Sequence, residues 1–93
     1  MVDGVVTHRS RHRAKETADR LAVAVANHGQ TLMARIDHAA AAKKAGLDLR
    51  PTEVLLFGNP TVGTLLMQQA QGIGLELPLR VLVWEDDKGV AWV

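Results

Sequence analysis

At the centre of the chain stands the segment Glu53-Val54-Leu55-Leu56-Phe57-Gly58-Asn59-Pro60, an apolar run followed by a turn signal. The run has no polar face, which is typical of a strand covered on both sides. Asparagine is a preferred residue just before a helix and proline a preferred first helical residue, so Asn59-Pro60 predicts a helix start. The segment therefore predicts a central strand that leads directly into a helix over about residues 60–71.

The N-terminal part of the chain predicts a strand and a helix. Residues 2–9 contain short β-branched side chains and predict a strand. From Ala14 onward, apolar residues recur at helical spacing and predict an amphipathic helix. This helix is expected to end near His28, because Gly29 can adopt the left-handed conformation that closes a helix.

A second strand and a short helix are predicted between Gly29 and the central segment. Residues 31–37 alternate in polarity and predict a half-buried strand, whose apolar face would hold Leu32, Ala34 and Ile36. The alanine-rich residues 39–46 predict a short helix that ends at a glycine.

The C-terminal part predicts a hairpin. Leu79 to Trp84 forms a largely apolar strand, residues 86–89 form a turn with a late glycine, and residues 90–93 return as the partner strand. The pairing would bring Trp84 and Trp92 near each other across the ladder.

These elements follow the order β-α-β-α-β-α-β-β, which predicts an α/β (α+β) two-layer sandwich. It would contain a mixed sheet of about five strands and three short helices in a single domain, residues 1–93. One helical layer covers only one side of a sheet, whereas two of the strands are apolar on both faces. We therefore expect a homodimer in which a second copy covers the other side.

Composition excludes several classes of protein. The 93 residues include no cysteine, which rules out disulfides and cysteine-based metal sites. The near balance of 11 Lys+Arg against 10 Asp+Glu makes nucleic-acid binding unlikely, and the basic run from Arg9 to Lys15 is diluted by Glu16 and Asp19. There is no signal peptide or membrane-length apolar run, so we expect a cytoplasmic protein without membrane contact.

The helix start after the central strand is one candidate binding site. Residues 58–64 have the glycine and hydroxyl spacing of a phosphate loop but lack its lysine, so nucleotide hydrolysis is not expected. A small anion or metabolite could still bind the free N–H groups at this helix start. The candidate ligand residues there are Asn59, Thr61, Gly63 and Thr64. The alternative interpretation is an ordinary capped helix.

A second candidate site combines His38 with Glu85, since both lie near predicted strand ends beside an acidic residue. Such a group could bind a divalent metal or relay protons. In the alternative interpretation Asp37 caps the short helix and Glu85 belongs to a solvated turn. No ligand spacing supports a resident metal, so no metal, no cofactor and no catalytic residue are assigned.

Four blocks carry a resemblance to a known family: residues 35–42, 49–60, 63–67 and 77–86. Over Ser10 to Val93 they resemble, in order and spacing, the bacterial and archaeal family called domain of unknown function 302. The resemblance implies a compact two-layer α/β fold, usually dimeric, with no established activity. Members usually continue beyond the last strand, so a chain ending at Val93 would be truncated. Arg13 stands where the family places a small polar helix cap.

Taken together, these patterns predict a dimeric domain that binds a small ligand or a partner. The alternative is a small metal-dependent or acid/base enzyme using His38 and Glu85.

Overall fold

The computed structural model describes residues 5–93, which form one antiparallel sheet with helices beside it. The helices are α1 (Ala14–Asn27), α2 (His38–Lys44), α3 (Pro60–Gln69) and a 3₁₀ helix (Gln71–Glu76). The strands are β1 (Thr31–Asp37), β2 (Thr52–Gly58), β3 (Leu79–Glu85) and β4 (Ala91–Trp92). Their spatial order is β1-β2-β3-β4, the same as their order in the chain.

Within residues 5–93 the sheet differs from the predicted five-stranded mixed sheet in strand number and direction, since it has four strands and every pair is antiparallel. Parallel neighbours need a crossover that carries the chain back along the full strand. Helix α2, with seven residues, is only about 10 Å long. A seven-residue strand extends about 23 Å. The chain therefore re-enters the sheet at the end where β1 leaves it, and β2 runs antiparallel.

The predicted N-terminal strand lies partly outside the described residues, which begin at Val5. Within residues 5–9 the only strand-like feature is an isolated bridge between Arg9 and Trp92. Backbone hydrogen bonds join His8 to Val93 in both directions, at 2.7 and 2.8 Å. Because β4 has only two residues, it gives this segment too short a partner for a regular ladder.

The small hydrophobic core lies between α1 and one face of the sheet. Ala14 and Ala18 of α1 pack against Leu55, Val83 and Ala91, all of which are buried. Small side chains on α1 let the helix approach the strands closely. The predicted helix from Ala14 to near His28 is confirmed, with Gly29 at a φ of 74° after it.

The opposite face of the sheet, which we call the open face, has little cover. Residues that lie opposite each other on neighbouring strands point to the same face of the sheet. The strand register therefore identifies the residues on the face away from Leu55. The open face comprises Ala34, Ile36, Thr52, Val54, Leu56, Arg80, Leu82, Trp84 and Trp92, with Arg9 opposite Trp92 at its edge. Ile36 is 44% and Leu82 46% exposed. The half-buried β1 expected from its alternation is therefore largely exposed.

A register shift in β1 separates residues that the alternation placed together. Leu32 lies opposite Phe57, whereas Ala34 lies opposite Leu56, and Phe57 and Leu56 point to opposite faces of β2. The shift between Leu32 and Ala34 marks a bulge at Met33. The prediction that Leu32, Ala34 and Ile36 share a face is correct only for the last two.

The predicted hairpin is confirmed. Gly89 has a φ of 77° in its turn, and Trp84 lies opposite Trp92 with ring centroids 6.2 Å apart. The Trp92 ring N–H donates to Asp86 Oδ2 at 3.0 Å. This hydrogen bond ties the second strand of the hairpin to its turn.

The chain between β2 and β3 forms a lobe that we call the arm, residues 60–78. It contains α3, which ends at Gln69 rather than near residue 71, and the 3₁₀ helix. The early end follows from the glycines at 72 and 74, which disfavour α-helix but permit tighter turns. No residue of α3 is buried. Within residues 5–93 no helix has the length and apolarity needed to cross a membrane.

Candidate functional site

An apolar groove of about 540 Å³ lies where the arm meets the ends of β1, β2 and β3. The volume falls within the range of small-molecule sites, about 300–1,000 Å³. Most of its lining is aliphatic or thioether, as contributed by Met33, Val62, Leu66, Met67, Leu77 and Leu79. Such a lining favours a ligand with an apolar body.

Two glycines shape this groove by letting parts of the arm approach each other. A Cβ atom added to Gly63 would lie 3.4 Å from Leu77 Cδ1, and one added to Gly74 would lie 3.2 Å from Met67 Sδ. The distance at Gly74 is tighter than most side-chain contacts, and that at Gly63 is at the limit of ordinary van der Waals contact. The candidate residue Gly63 therefore has a packing role in the groove wall.

Three of the four residues predicted at the helix start line the groove: Asn59, Gly63 and Thr64. The fourth, Thr61, does not line it, but its backbone N–H donates to Asn59 Oδ1 at 3.0 Å. The N–H of Val62 donates to the same oxygen at 3.3 Å. The cap thus occupies two of the N–H groups that an anion would use. The capped-helix interpretation of Asn59 is confirmed.

The groove holds one polar atom that sequence reasoning missed. Gln30, in the turn between α1 and β1, lines the groove, and its side-chain Oε1 is buried. This oxygen has no hydrogen-bond partner among the described residues. A buried acceptor without a partner costs about 1–3 kcal/mol, so a ligand donor that met this oxygen after a rotation of the Gln30 side chain would be favourable. A glutamine after a helix-ending glycine gives no sequence signal of such a role.

The candidate residue Glu85 is engaged at the N-terminus of α1. Its two oxygens accept from Arg13 Nε at 2.7 Å and Arg13 Nη2 at 2.8 Å. The backbone N–H of Ala14 donates to it at 3.4 Å. The Arg13 hydrogen bond is the main cause that lowers the pKa of Glu85 below its ordinary value. Glu85 therefore supports α1 and is not part of a solvated turn.

His38 is exposed at the first position of α2, and Asp37 caps that helix by accepting from the Ala40 N–H at 2.9 Å. Strand β2 lies between the strand that precedes His38 and the strand that ends at Glu85. The side-chain hydrogen bonds of Glu85 go to Arg13 and Ala14. In the part of the chain that the structure describes, no group of three or more histidine or acidic side chains could hold a metal.

A further ion cluster, not predicted from the sequence, joins α1 to the sheet. Arg35 donates from Nε and Nη2 to Glu53 at 2.7 and 3.0 Å, and its Nη1 lies 2.7 Å from Asp19 Oδ1. The hydrogen bond to Glu53 is the main cause that raises the pKa of Arg35. The opposite charges of Arg35 and Glu53 on neighbouring predicted strands could have indicated this pair, but only the strand register shows that they lie together.

The basic run from Arg9 to Lys15 is partly neutralised. Arg13 pairs with Glu85, and Lys15 Nζ lies 3.4 Å from Asp19 Oδ2. His12 Nδ1 lies 3.4 Å from Glu16 Oε2. The acidic partners of Arg13 and Lys15 therefore offset part of the positive charge of the run.

Comparison with known proteins identifies relatives in sequence and in fold. The model of a family described as domain of unknown function DUF302 matches residues 6–93. A crystal structure of an uncharacterized conserved protein DUF302 from Bacillus stearothermophilus superposes with a TM-score of 0.83 at 20% identity. The match covers 94% of this chain and 68% of that chain. It shows a shared fold.

Curated relatives come from Brucella. The chain is 50% identical over 90 residues to a protein named fluoride-specific ion channel FluC 1 from Brucella suis biovar 1, covering 97% of this chain and 35% of that protein. The same identity is found with fluoride-specific ion channel FluC 2 of Brucella melitensis biotype 1, of which 33% is covered. The chain thus spans about a third of the length of these relatives.

Proposed function

We propose that this chain, which belongs to the family of domain of unknown function DUF302, is a homodimeric binding domain rather than an enzyme. Its ligand would be a small metabolite with an apolar body, held in the groove between the arm and the sheet. Its place of action would be the cytoplasm.

The observation that carries the ligand proposal is the unpartnered Gln30 Oε1 in the wall of a largely apolar groove. An apolar site with one placed polar group is the usual form of a small-molecule pocket. The ligand should therefore have a flat or elongated apolar body and one N–H or O–H donor. A small anion has less support, because Asn59 already accepts from the N–H groups of Thr61 and Val62.

The ligand proposal can be tested with N-phenyl-1-naphthylamine, an uncharged apolar dye with a single N–H donor. We expect saturable fluorescence enhancement that is lost in Leu66→Asp, which places a charge in the groove wall. Val23→Asp, an exposed position on α1, is the matched control and should bind the dye normally. Dye binding that survives Leu66→Asp but disappears in Leu82→Asp would place the dye on the open face and contradict the groove.

The homodimer is supported by the apolar open face, which includes Ile36, Val54 and Leu82. A large exposed apolar patch on a small domain is typical of an interaction surface. Light scattering at micromolar concentration should give twice the mass of one chain. A single-chain mass at every concentration would contradict the dimer.

A second candidate function is suggested by the 50% identity with the fluoride-specific ion channels of Brucella. In this alternative the chain acts as a domain that accompanies fluoride transport. Deleting it from a bacterium that encodes it should then reduce growth in sodium fluoride but not in an equal concentration of sodium chloride. Equal growth of the deleted and parent strains in fluoride would remove this candidate.

The enzyme alternative with His38 and Glu85 has less support than either candidate. A catalytic carboxylate needs a free oxygen near its partner. Both oxygens of Glu85 accept hydrogen bonds from Arg13, and Oε1 also accepts from Ala14. Because His38 does not line the groove, His38→Ala should leave dye binding there unchanged.

A further inference from the structure

We propose that two copies of this chain pair reciprocally, the arm of each lying over the open face of the other, with Glu76 of the partner subunit against Arg80. The inference rests on the proposed homodimer and identifies the surfaces that form it. Three properties of the chain support it: its exposed area, its two unpartnered apolar surfaces, and the charges on them.

The exposed area of a single chain is larger than its mass predicts. The accessible surface is 7010 Å² for a mass of 10.1 kDa. A compact monomer of this mass exposes about 5,300 Å². Four residues of fully extended chain expose only about 600 Å², so residues 1–4 cannot account for the difference. The excess that is left is larger than the roughly 800 Å² that each partner buries in a stable interface.

Two apolar surfaces of the chain lack a partner. On the arm, Leu65 is 57% and Leu75 88% exposed, and neither lines the groove. The open face is a broad apolar surface with Leu82 near its centre. A helix stripe and a sheet face are each stable when buried against another layer. The arm is the helical layer that the open face lacks in its own chain.

The charges on these two surfaces are complementary. The open face carries two charged side chains, Arg80 opposite Leu56 and, at its edge, Arg9 opposite Trp92. The arm, residues 60–78, carries one charged side chain, Glu76, of opposite sign. Within residues 5–93 no salt bridge involves Arg80, Arg9 or Glu76. Covering Arg80 with an apolar surface would be costly unless an opposite charge came with it.

A two-fold axis makes the contact reciprocal. The same patch serves on both copies, so each Arg80 would meet Glu76 of the partner subunit and the two arms would be used equally. This arrangement closes at two copies and does not propagate into a filament. It leaves the groove lining on each chain separate from the residues that form the contact.

The test is a charge exchange followed by sedimentation equilibrium. Arg80→Glu and Glu76→Arg should each raise the dimer dissociation constant by at least about tenfold, because each puts two like charges together. The double variant Arg80→Glu with Glu76→Arg should return it to within about threefold of the parent. Lys43→Glu and Asp48→Arg change exposed charges outside both surfaces and serve as matched controls.

A second variant separates the dimer from the groove. Leu65→Asp should weaken the dimer as strongly as the single charge reversals while leaving binding of N-phenyl-1-naphthylamine intact. Circular dichroism of each variant shows whether the chain still folds.

The outcomes distinguish this inference from the proposed function. If the parent dimerises but the charge reversals behave like Lys43→Glu, or the double variant does not recover, the assigned surfaces are wrong and the dimer stands. If the parent is monomeric throughout, both the dimer and its surfaces are wrong. Loss of dye binding in Leu66→Asp concerns the groove alone.

Discussion

At the scale of single residues, Glu85 links two parts of the chain that are far apart in sequence. Arg13, which precedes α1, has no side-chain capping bond of its own. Glu85 replaces the missing cap from 71 residues away by accepting from the Ala14 N–H. It also accepts two bonds from Arg13. Arg13, which stands where the family places a small polar helix cap, and the carboxylate of Glu85 therefore belong to one contact.

We predict that Glu85→Gln lowers the melting temperature by about 4–8 °C, the shift expected for a loss of about 1 kcal/mol in a domain of this size. The substitution keeps the side-chain volume but removes the negative charge that faces Arg13 and the helix N-terminus. Thermal unfolding followed by circular dichroism measures the change. Asp48→Asn, which neutralises an exposed loop carboxylate, is the control and should change the melting temperature little. Equal melting temperatures for both variants would contradict the role of Glu85.

The same carboxyl predicts a pH dependence. Its pKa is lowered in the folded chain, chiefly by Arg13, from an ordinary value of 4.5. A lowered pKa contributes stability that is complete above the unfolded value and is lost as the pH falls through the folded one. The stability difference between the parent and Glu85→Gln should therefore be constant near neutral pH and shrink below pH 4.5. Urea unfolding at several pH values measures it, and a difference that grows on acidification would be contrary to this assignment.

At the scale of secondary-structure elements, helices α2 and α3 have clear capping signals but bury no residue. Asn59-Pro60 starts α3 with a side-chain cap, and Asp37 starts α2 in the same way. Helix α3 nevertheless buries no residue in its own chain. Its start is specified by local hydrogen bonds, whereas its apolar side has little packing beyond the arm itself. We expect α3 to be the helix that opens most readily.

We predict that Asn59→Ala speeds amide hydrogen exchange in α3 by about tenfold or less, corresponding to loss of a cap of about 1 kcal/mol. The N–H groups of Thr61 and Val62 lose their acceptor, while the sheet is untouched. Hydrogen exchange measured by nuclear magnetic resonance resolves α3 from β2. Asn59→Asp is the matched control, because aspartate caps as well as asparagine does. Faster exchange in β2 as well would mean that α3 opens only with the whole domain.

At the scale of the whole molecule, helix α1 and the core lie on one side of the sheet. Helix α1 covers the side that contains Leu55 and Val83, the two large side chains that are fully buried. The open face and the arm lie outside this core. A core with so few large buried side chains is small for 93 residues. Association of two copies is the simplest way to enlarge it.

We predict that the melting temperature rises with protein concentration, because a folded state that associates is favoured by mass action. A hundredfold increase in concentration should raise the melting temperature of the parent by several degrees, measured by differential scanning calorimetry. Arg80→Glu should show a smaller rise, since it weakens the association. A parent melting temperature that does not change with protein concentration would contradict the proposed dimer.

Several features of the fold and of the candidate site could be predicted from sequence. Helix α1, strand β1, both capped helix starts and the tryptophan pair follow from signals within a few residues of each other. The predicted N-terminal strand lies partly outside the described residues, and within residues 5–9 it is reduced to a bridge because β4 is too short a partner. At the groove, Asn59 and Thr64 were identified from the helix start, whereas Gln30 was missed. Nothing near Gln30 in the sequence reveals that its oxygen is buried.

The sequence by itself determined the family, the alternation of helices with strands, and the positions where helices begin and chains turn. These features depend on local capping, glycine conformation and apolar periodicity, which neighbouring residues specify. Only the tertiary structure decided the antiparallel order of the sheet, the contact of Glu85 with Arg13, and the groove around Gln30. It also decided which sheet face has no cover. These features depend on strand register and on distances between residues remote in sequence, which local signals do not specify.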